Sequence, residues 1–213
     1  MIKAVVFDLW NTLFYDDVKK EHPFTKFARK IGRDIDDYSY LKIFEKHVMT
    51  SKSRSLDLCV KNLLKELKIS YDDKLVLELT ELLEKKNVSQ KPYPETLNFL
   101  KKLRARKYKI GLITNVYHHS FEKLNQEFKL TKIFDVILTS YETGMIKPDP
   151  KIFDLMLKRL GVSKNEVLMI GDSPEDDVQA AEKVGIRAVL LDRKGRYPDY
   201  PGSIRSLREL RLV

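Results

Sequence analysis

From Thr96 to Leu191 the chain alternates between two kinds of segment, and few folds accept that alternation. Thr96 to Lys107 reads as a helix and Tyr108 to Thr114 as a strand. His119 to Phe128 is helical, Phe134 to Thr139 extended, and Pro150 to Leu160 helical up to Gly161. Val167 to Ile170 is a short apolar strand, Pro174 to Val184 a helix ending at Gly185, and Ile186 to Leu191 a last strand. Strands separated by helices belong in a mostly parallel sheet with helices on both faces. A further strand stands at the start. Ile2 to Phe7 is mostly apolar and β-branched without helical spacing, the pattern of a strand covered on both faces. The prediction is therefore an α/β fold with a doubly wound, mostly parallel five-stranded sheet.

Between the first strand and this alternation the pattern changes. From about Asp16 to Gln90 the spacing is helical, with no convincing strand. Leu56, Val60, Leu63, Leu64 and Leu67 form one stripe behind Ser55, a candidate N-cap. Leu75, Val76, Leu79, Leu82 and Leu83 form another, with Asp72 or Asp73 placed to cap it. Phe24, Phe27, Ala28 and Ile31 suggest a helix ending at Gly32, and Leu41, Phe44 and Val48 suggest one more. Pro92-Tyr93-Pro94 would end any helix. The expected organisation is an α/β core of residues 1–15 and 91–213, with an all-helical cap, 16–90, inserted over the strand ends.

Composition narrows the function classes. Apolar content of 43% supports a packed interior, and no 18-residue apolar stretch is present to span a membrane. Lys3 precedes only four apolar residues, unlike a signal peptide. Cys59, the only cysteine, falls on an apolar helical stripe and reads as a core thiol. These features lead to an expected cytoplasmic placement. The formal charge of +9 is spread along the chain and interleaved with acids, without the basic and aromatic clustering of a nucleic-acid surface. Neither a nucleic-acid nor a membrane partner is expected, and the chain is expected to be a monomer or homodimer.

The chemistry gathers at strand ends. Asp8 follows the first strand, Thr114-Asn115 ends the second, Lys147 in Gly144-Met145-Ile146-Lys147-Pro148 follows the third, and Asp172, Asp176 and Asp177 follow the fourth. In a doubly wound sheet the carboxyl ends of the strands face one crevice. Each feature alone has a plainer reading: a helix cap, a loop lysine, a turn. Together they bring carboxylates, a hydroxyl and an ammonium to one place. Asp8 with the later acids offers hard oxygen ligands suited to Mg²⁺. Lys147 and Thr114 could bind a phosphoryl oxygen, and Asp8 could attack its phosphorus.

In these motifs the chain resembles the haloacid dehalogenase-like (HAD) hydrolase superfamily with a helical cap after the first motif. The carriers of the resemblance are Asp8 to Leu13, Thr114-Asn115, Lys147-Pro148 and Gly171-Asp172 to Asp177, covering the core from residue 1 to about 192. The resemblance implies a Rossmann-like core and Asp8 as nucleophile, with Lys147 also in the catalytic set. It implies that Thr114, Asn115, Lys147, Trp10 and Asn11 contact a small anionic substrate. It also implies that Asp8, the Trp10 backbone carbonyl, Asp172 and Asp177 surround Mg²⁺.

One position departs from the family. Its phosphatases carry a second Asp two residues after the nucleophile as general acid and base, and here that position is Trp10. Indole cannot protonate a leaving alkoxide. Haloacid dehalogenases have an aromatic residue there and need no metal, yet they lack the first acid of the last motif, here kept as Asp172. Three readings follow: a Mg²⁺-dependent phosphohydrolase acting on a small phosphorylated metabolite, a metal-independent 2-haloacid dehalogenase, and a catalytically weak binding protein. No tryptophan- and arginine-rich segment that would hold a haloacid carboxylate is evident, although Arg29, Arg33 and Arg54 lie in the cap. His118-His119 read as exposed helix-start residues, and Asp192-Arg193-Lys194-Gly195-Arg196 reads first as a solvated loop, or else as a cationic border of the site. Tyr15, Asp16 and Asp17 read as a linker and hinge into the cap.

Overall fold

The computed structural model describes residues 1–17, 21–50, 55–84 and 89–211. In chain order the elements begin with β1 (Ala4–Phe7), β2 (Phe14–Asp17), α1 (Pro23–Lys30), α2 (Tyr38–Val48), α3 (Leu56–Glu66) and α4 (Asp73–Glu84). Then come β3 (Ser89–Pro92), α5 (Thr96–Ala105), β4 (Lys109–Thr114), α6 (His118–Phe128), α7 (Leu130–Ile133), β5 (Val136–Thr139) and α8 (Ser140–Thr143). The chain continues through α9 (Pro150–Leu160), β6 (Val167–Gly171), a π-helical turn (Pro174–Gln179), α10 (Ala180–Lys183) and β7 (Arg187–Leu190).

The five-stranded sheet has the order β5-β4-β1-β6-β7, and every pairing in it is parallel. β1 is the central strand and is wholly buried. Its side chains alternate between two cores, as the pleat requires. Val5 and Phe7 pack with Leu100 and Leu103 of α5 and Phe121 and Leu124 of α6. Ala4 and Val6 pack with Phe153 and Met156 of α9 and Ala180 and Ala181 of α10. Helices thus cover both faces, which is why the strands carry near-continuous apolar runs. Among the described residues no helix is long and apolar enough to cross a membrane.

Helices α1 to α4 share a separate core. Phe44 is its aromatic hub, with ring centroids 5.3 Å from Phe24, 5.4 Å from Phe27 and 6.1 Å from Tyr40. Cys59 of α3 is buried, as its stripe suggested. The helices follow the expected spacing, and the Asp72 carboxylate accepts from the Leu75 N–H at 2.8 Å at the start of α4.

One expectation needs correction. The block after Asp16 is not free of strands, because β2 and β3 pair antiparallel, Phe14 opposite Pro92 and Asp17 opposite Ser89. Each strand has only four residues, and Phe-Tyr-Asp-Asp and Ser-Gln-Lys-Pro show no apolar alternation. Their pairing is set across the whole helical block, a distance local pattern does not read. Tyr15 to Asp17 therefore lie in this ribbon. A refinement concerns Pro174 to Val184, expected as one helix. Its first part is π-helical, marked by the Val178 N–H to Ser173 O bond of 3.2 Å. Such wide turns recur at functional sites.

Candidate active site

The β1 end is fixed by its neighbour: the Asp8 N–H donates to Ile170 O at 2.9 Å. The side chain is buried, and Lys147 Nζ lies 2.6 Å from its Oδ1 and 2.6 Å from Asp177 Oδ1. Burial alone would favour a neutral amine, but the carboxylates of Asp177 and Asp8 outweigh it and hold Lys147 as a cation, above the ordinary lysine range. The lysine backbone is gripped as well. Its N–H donates to Asn115 Oδ1 at 2.8 Å, and its carbonyl accepts from Asn115 Nδ2 at 3.2 Å.

The β6 end supplies the acids. Asp177 Oδ2 accepts from the Ser173 N–H at 3.1 Å. Its side chain lies flat on Gly171, where a Cβ would stand 2.2 Å from Asp177 Cγ. Only glycine admits that approach. Asp172 pairs with Arg196 at 2.6 Å. Burial, then the charges of Asp8 and Asp177, push the Asp172 carboxyl upward, while Arg196 opposes the shift. Burial raises Asp177 too, against the pull of Lys147. Oxygens of Asp8, Asp172 and Asp177 all lie within 4.8 Å of one another. Asp8 Oδ2 is buried and has no partner among the described residues. Crowded hard oxygen donors with one buried oxygen lacking a partner among the described residues have the chemistry to hold a hard divalent cation.

The remaining expected residues divide. Trp10 and Asn11 line the cavity beside Asp8. Asn11 holds a left-handed backbone, φ 56°, a conformation Asn tolerates, and its N–H donates to Phe14 O at 2.7 Å. Thr114 sits at the end of β4, fully buried, with its hydroxyl unpartnered among the described residues. The cavity wall begins one residue later, at Asn115, whose amide is spent on Lys147 and Glu45.

The cavity has a volume of about 1160 Å³ and is walled by core and helical block together. Sequence reasoning missed what closes it. On α2, Tyr38, Lys42 and Glu45 share a face at i, i+4 and i+7 and reach the core. Tyr38 OH donates to Asp176 Oδ1 at 2.8 Å, and Lys42 Nζ lies 2.5 Å from Asp176 Oδ2. The i, i+4, i+7 spacing is visible in sequence, but its target is not. The loop after β7 takes the second of its two readings, since Arg193, Lys194 and Arg196 line the cavity. His119 also reaches the wall. Arg29 pairs with Glu21 and Arg33 donates to Leu67 O, and neither is on the wall. Arg54 lies outside the described residues.

A parallel α/β sheet with a crevice of carboxylates and a buried lysine, roofed by inserted helices, defines a capped hydrolase. The family model for haloacid dehalogenase-like hydrolases matches residues 2–185, and the chain belongs to that family. It is 30% identical to glyceraldehyde 3-phosphate phosphatase of Methanocaldococcus jannaschii, over 99% of this chain and 96% of the relative. The HAD phosphatase structure from Thermococcus onnurineus matches with a TM-score of 0.61 at 29% identity, covering 98% of this chain and 95% of that one. A 2-haloacid dehalogenase from Pseudomonas syringae shares the fold, TM-score 0.61 at 24% identity, over 97% and 95% of the two chains. The chain is thus a hydrolase, and the phosphatase type is favoured over the dehalogenase type.

Proposed function

We propose that the protein is a Mg²⁺-dependent phosphohydrolase of small phosphorylated metabolites, acting through an aspartyl phosphate on Asp8. The observation that carries this reading is the Asp8 carboxylate itself. It is buried at a strand end, oriented by Lys147 through one oxygen and, among the described residues, unpartnered at the other. A carboxylate oxygen of Asp8 bonds to phosphorus as the bond to the leaving group breaks, and water then releases phosphate and restores Asp8. Lys147, locked between two acids, neutralises charge on the transferred group. Asn115 closes the β4 side of the cavity with Thr114 buried one residue behind it, and Trp10 and Asn11 line the cavity beside Asp8.

The donor set of Asp8, Asp172, Asp177 and the Trp10 carbonyl would hold Mg²⁺, which supplies charge neutralisation of the phosphoryl oxygens when bound. Asp8 Oδ2 and the crowding of three acids support that assignment. Trp10 sets a limit on chemistry. With no acid at that position to protonate an alkoxide, substrates whose leaving groups depart as stable anions, such as acyl phosphates, are favoured.

The alternative is a 2-haloacid dehalogenase, for which Trp10 speaks because halide leaves without a proton. Phosphate release from a phosphoester panel and halide release from 2-chloropropionate, each with Mg²⁺ and with chelator, separate the readings. Phosphate release abolished by chelator is expected. Chloride release that ignores chelator would assign the dehalogenase instead. Silence in both assays, with Asp8→Asn changing nothing, would leave only a binding protein.

A further inference from the structure

We propose that Lys42, on α2 of the helical block, is a positioning residue for the reacting centre, engaged only while the block is docked on the core. The proposal rests on the reading that Asp8 and Lys147 are that centre.

Lys42 Nζ touches three oxygens that come from different parts of the molecule. It lies 2.5 Å from Glu45 Oε2 on its own helix, 2.5 Å from Asp176 Oδ2 in the π-helical turn, and 3.1 Å from the Lys147 carbonyl. Its side chain is 18% exposed, against 10% for Glu45 and 11% for Asp176. Docking α2 therefore brings two acids, one from each side of the interface, into a poorly hydrated space. Lys42 is the cation placed between them, and without it their approach is repulsive.

Its third contact gives the cluster a functional direction. The Lys147 carbonyl accepts from both Lys42 Nζ and Asn115 Nδ2, and Asn115 Nδ2 also donates to Glu45 Oε2 at 2.9 Å. Asn115 Oδ1 accepts the Lys147 N–H. The helical block thus holds the backbone of Lys147 at its carbonyl directly and at its N–H through Asn115. The same lysine's ammonium orients Asp8 and Asp177. Tyr38 fixes the other oxygen of Asp176 and so keeps that carboxylate aimed at Lys42. Asp176 itself lies outside the close group of Asp8, Asp172 and Asp177, so its part in this network is that of a receptor for α2. Withdrawal of α2 removes one hydrogen bond from the Lys147 carbonyl and one from Asn115, loosening the lysine when the site is open to water.

The test is steady-state hydrolysis of p-nitrophenyl phosphate with Mg²⁺ by the whole chain carrying Lys42→Met, Lys42→Arg, Asp176→Asn, Lys42→Met/Asp176→Asn, Tyr38→Phe or Asp8→Asn. Lys42→Met is expected to lower kcat about tenfold with KM within about twofold, since geometry at the reacting centre is lost rather than substrate contact. Lys42→Arg should recover most of kcat, because the positive charge is kept. The double variant should be no slower than the slower single variant, as expected of two residues acting through one contact. If Lys42→Met retains kcat while Asp8→Asn abolishes it, or if the two losses multiply, the positioning role is overturned and the phosphohydrolase reading stands. If Asp8→Asn retains phosphate release, the nucleophile reading has failed instead. Should Lys42→Met not fold by circular dichroism, Tyr38→Phe carries the same criterion: kcat lowered at constant KM supports the role, and kcat unchanged overturns it.

Discussion

The core crevice and the helical block meet in one cavity, yet they are built on opposite logic. In the core, the site residues sit at strand ends or on the connections that leave them, and parallel pairing brings those ends together. In the helical block, the residues that matter lie on one face of α2, and what they touch depends on how a packed unit docks. Topology fixes the first arrangement, and an interface fixes the second. Substitutions in the core should therefore stop chemistry with little change in mobility, whereas substitutions in the block should act through docking.

The largest effect expected is that of Asp8→Asn. It removes the proposed nucleophile while keeping volume, so phosphate release should fall by at least about 10³-fold. The melting temperature should hold or rise, since one of the buried like charges facing Asp172 and Asp177 is gone. Melting curves beside the rates check both. A variant that melts much lower would mean that the strand ends serve folding as well as chemistry.

Gly171→Ala comes next. A Cβ 2.2 Å from Asp177 Cγ cannot coexist with the observed side chain, so Asp177 must swing off Lys147. A displacement of about 1 Å in such a site costs on the order of 10²-fold in rate. The Mg²⁺ concentration for half-maximal rate should rise in parallel. A rise in Mg²⁺ demand without a fall in the saturated rate would place Asp177 on the metal alone, and not on the alignment of Lys147.

These positions also mark what sequence can and cannot carry. Asp8 and Asp172 were legible because buried parallel strands announce themselves as apolar runs and the first polar residue after them marks the crevice. Lys147 and Asp177 lie further along the connections and were legible from the Lys147-Pro148 and Gly171-Asp172 to Asp177 motifs. Thr114 was placed at the right strand end, but whether its hydroxyl or the Asn115 amide meets the cavity is a matter of side-chain direction. The β2–β3 ribbon was hidden for another reason, since four-residue strands without alternation pair only because the chain returns after the whole helical block. Lys42 and Glu45 read as ordinary charged residues on an amphipathic helix. Nothing in their own segment indicates that their partners lie far along the chain, Asp176 and Lys147 for Lys42 and Asn115 for Glu45. The loop after β7 was ambiguous for the same reason, because Arg193 finds Thr12 O and Glu95 only once the core is assembled.

Phe44→Ala tests the helical block as a packed unit. The ring is fully buried among Phe24, Phe27 and Tyr40, and its removal should cost about 3–5 kcal/mol of that unit's stability. Because this core is separate from the two that flank the sheet, hydrogen exchange should speed up in α1 to α4 and leave β1, β4 and β6 protected. The fluorescence of Trp10, the only tryptophan, should report a core transition close to that of the unaltered chain. Equal loss of protection in β1 would mean that block and core unfold together, and the contrast between them would hold for chemistry alone.

The smallest effect concerns two lysines that look alike on paper. Lys30 in α1 stands 2.5 Å from Glu78 in α4, the same distance as Lys42 from Asp176. Yet Lys30 and Glu78 are 41% and 38% exposed, so water screens the pair and ordering two long side chains offsets its attraction. Lys30→Met should leave the melting temperature and kcat within experimental error at low and high salt. Lys42 is shielded, wedged between two acids and bonded to the backbone of Lys147, so the same change there should slow turnover. Distance does not separate the two sites, but desolvation and the identity of the third partner do. If Lys30→Met slowed turnover as much as Lys42→Met, the effect of Lys42 would reduce to general weakening of the helical block, and the link from α2 to Asp8 would be lost.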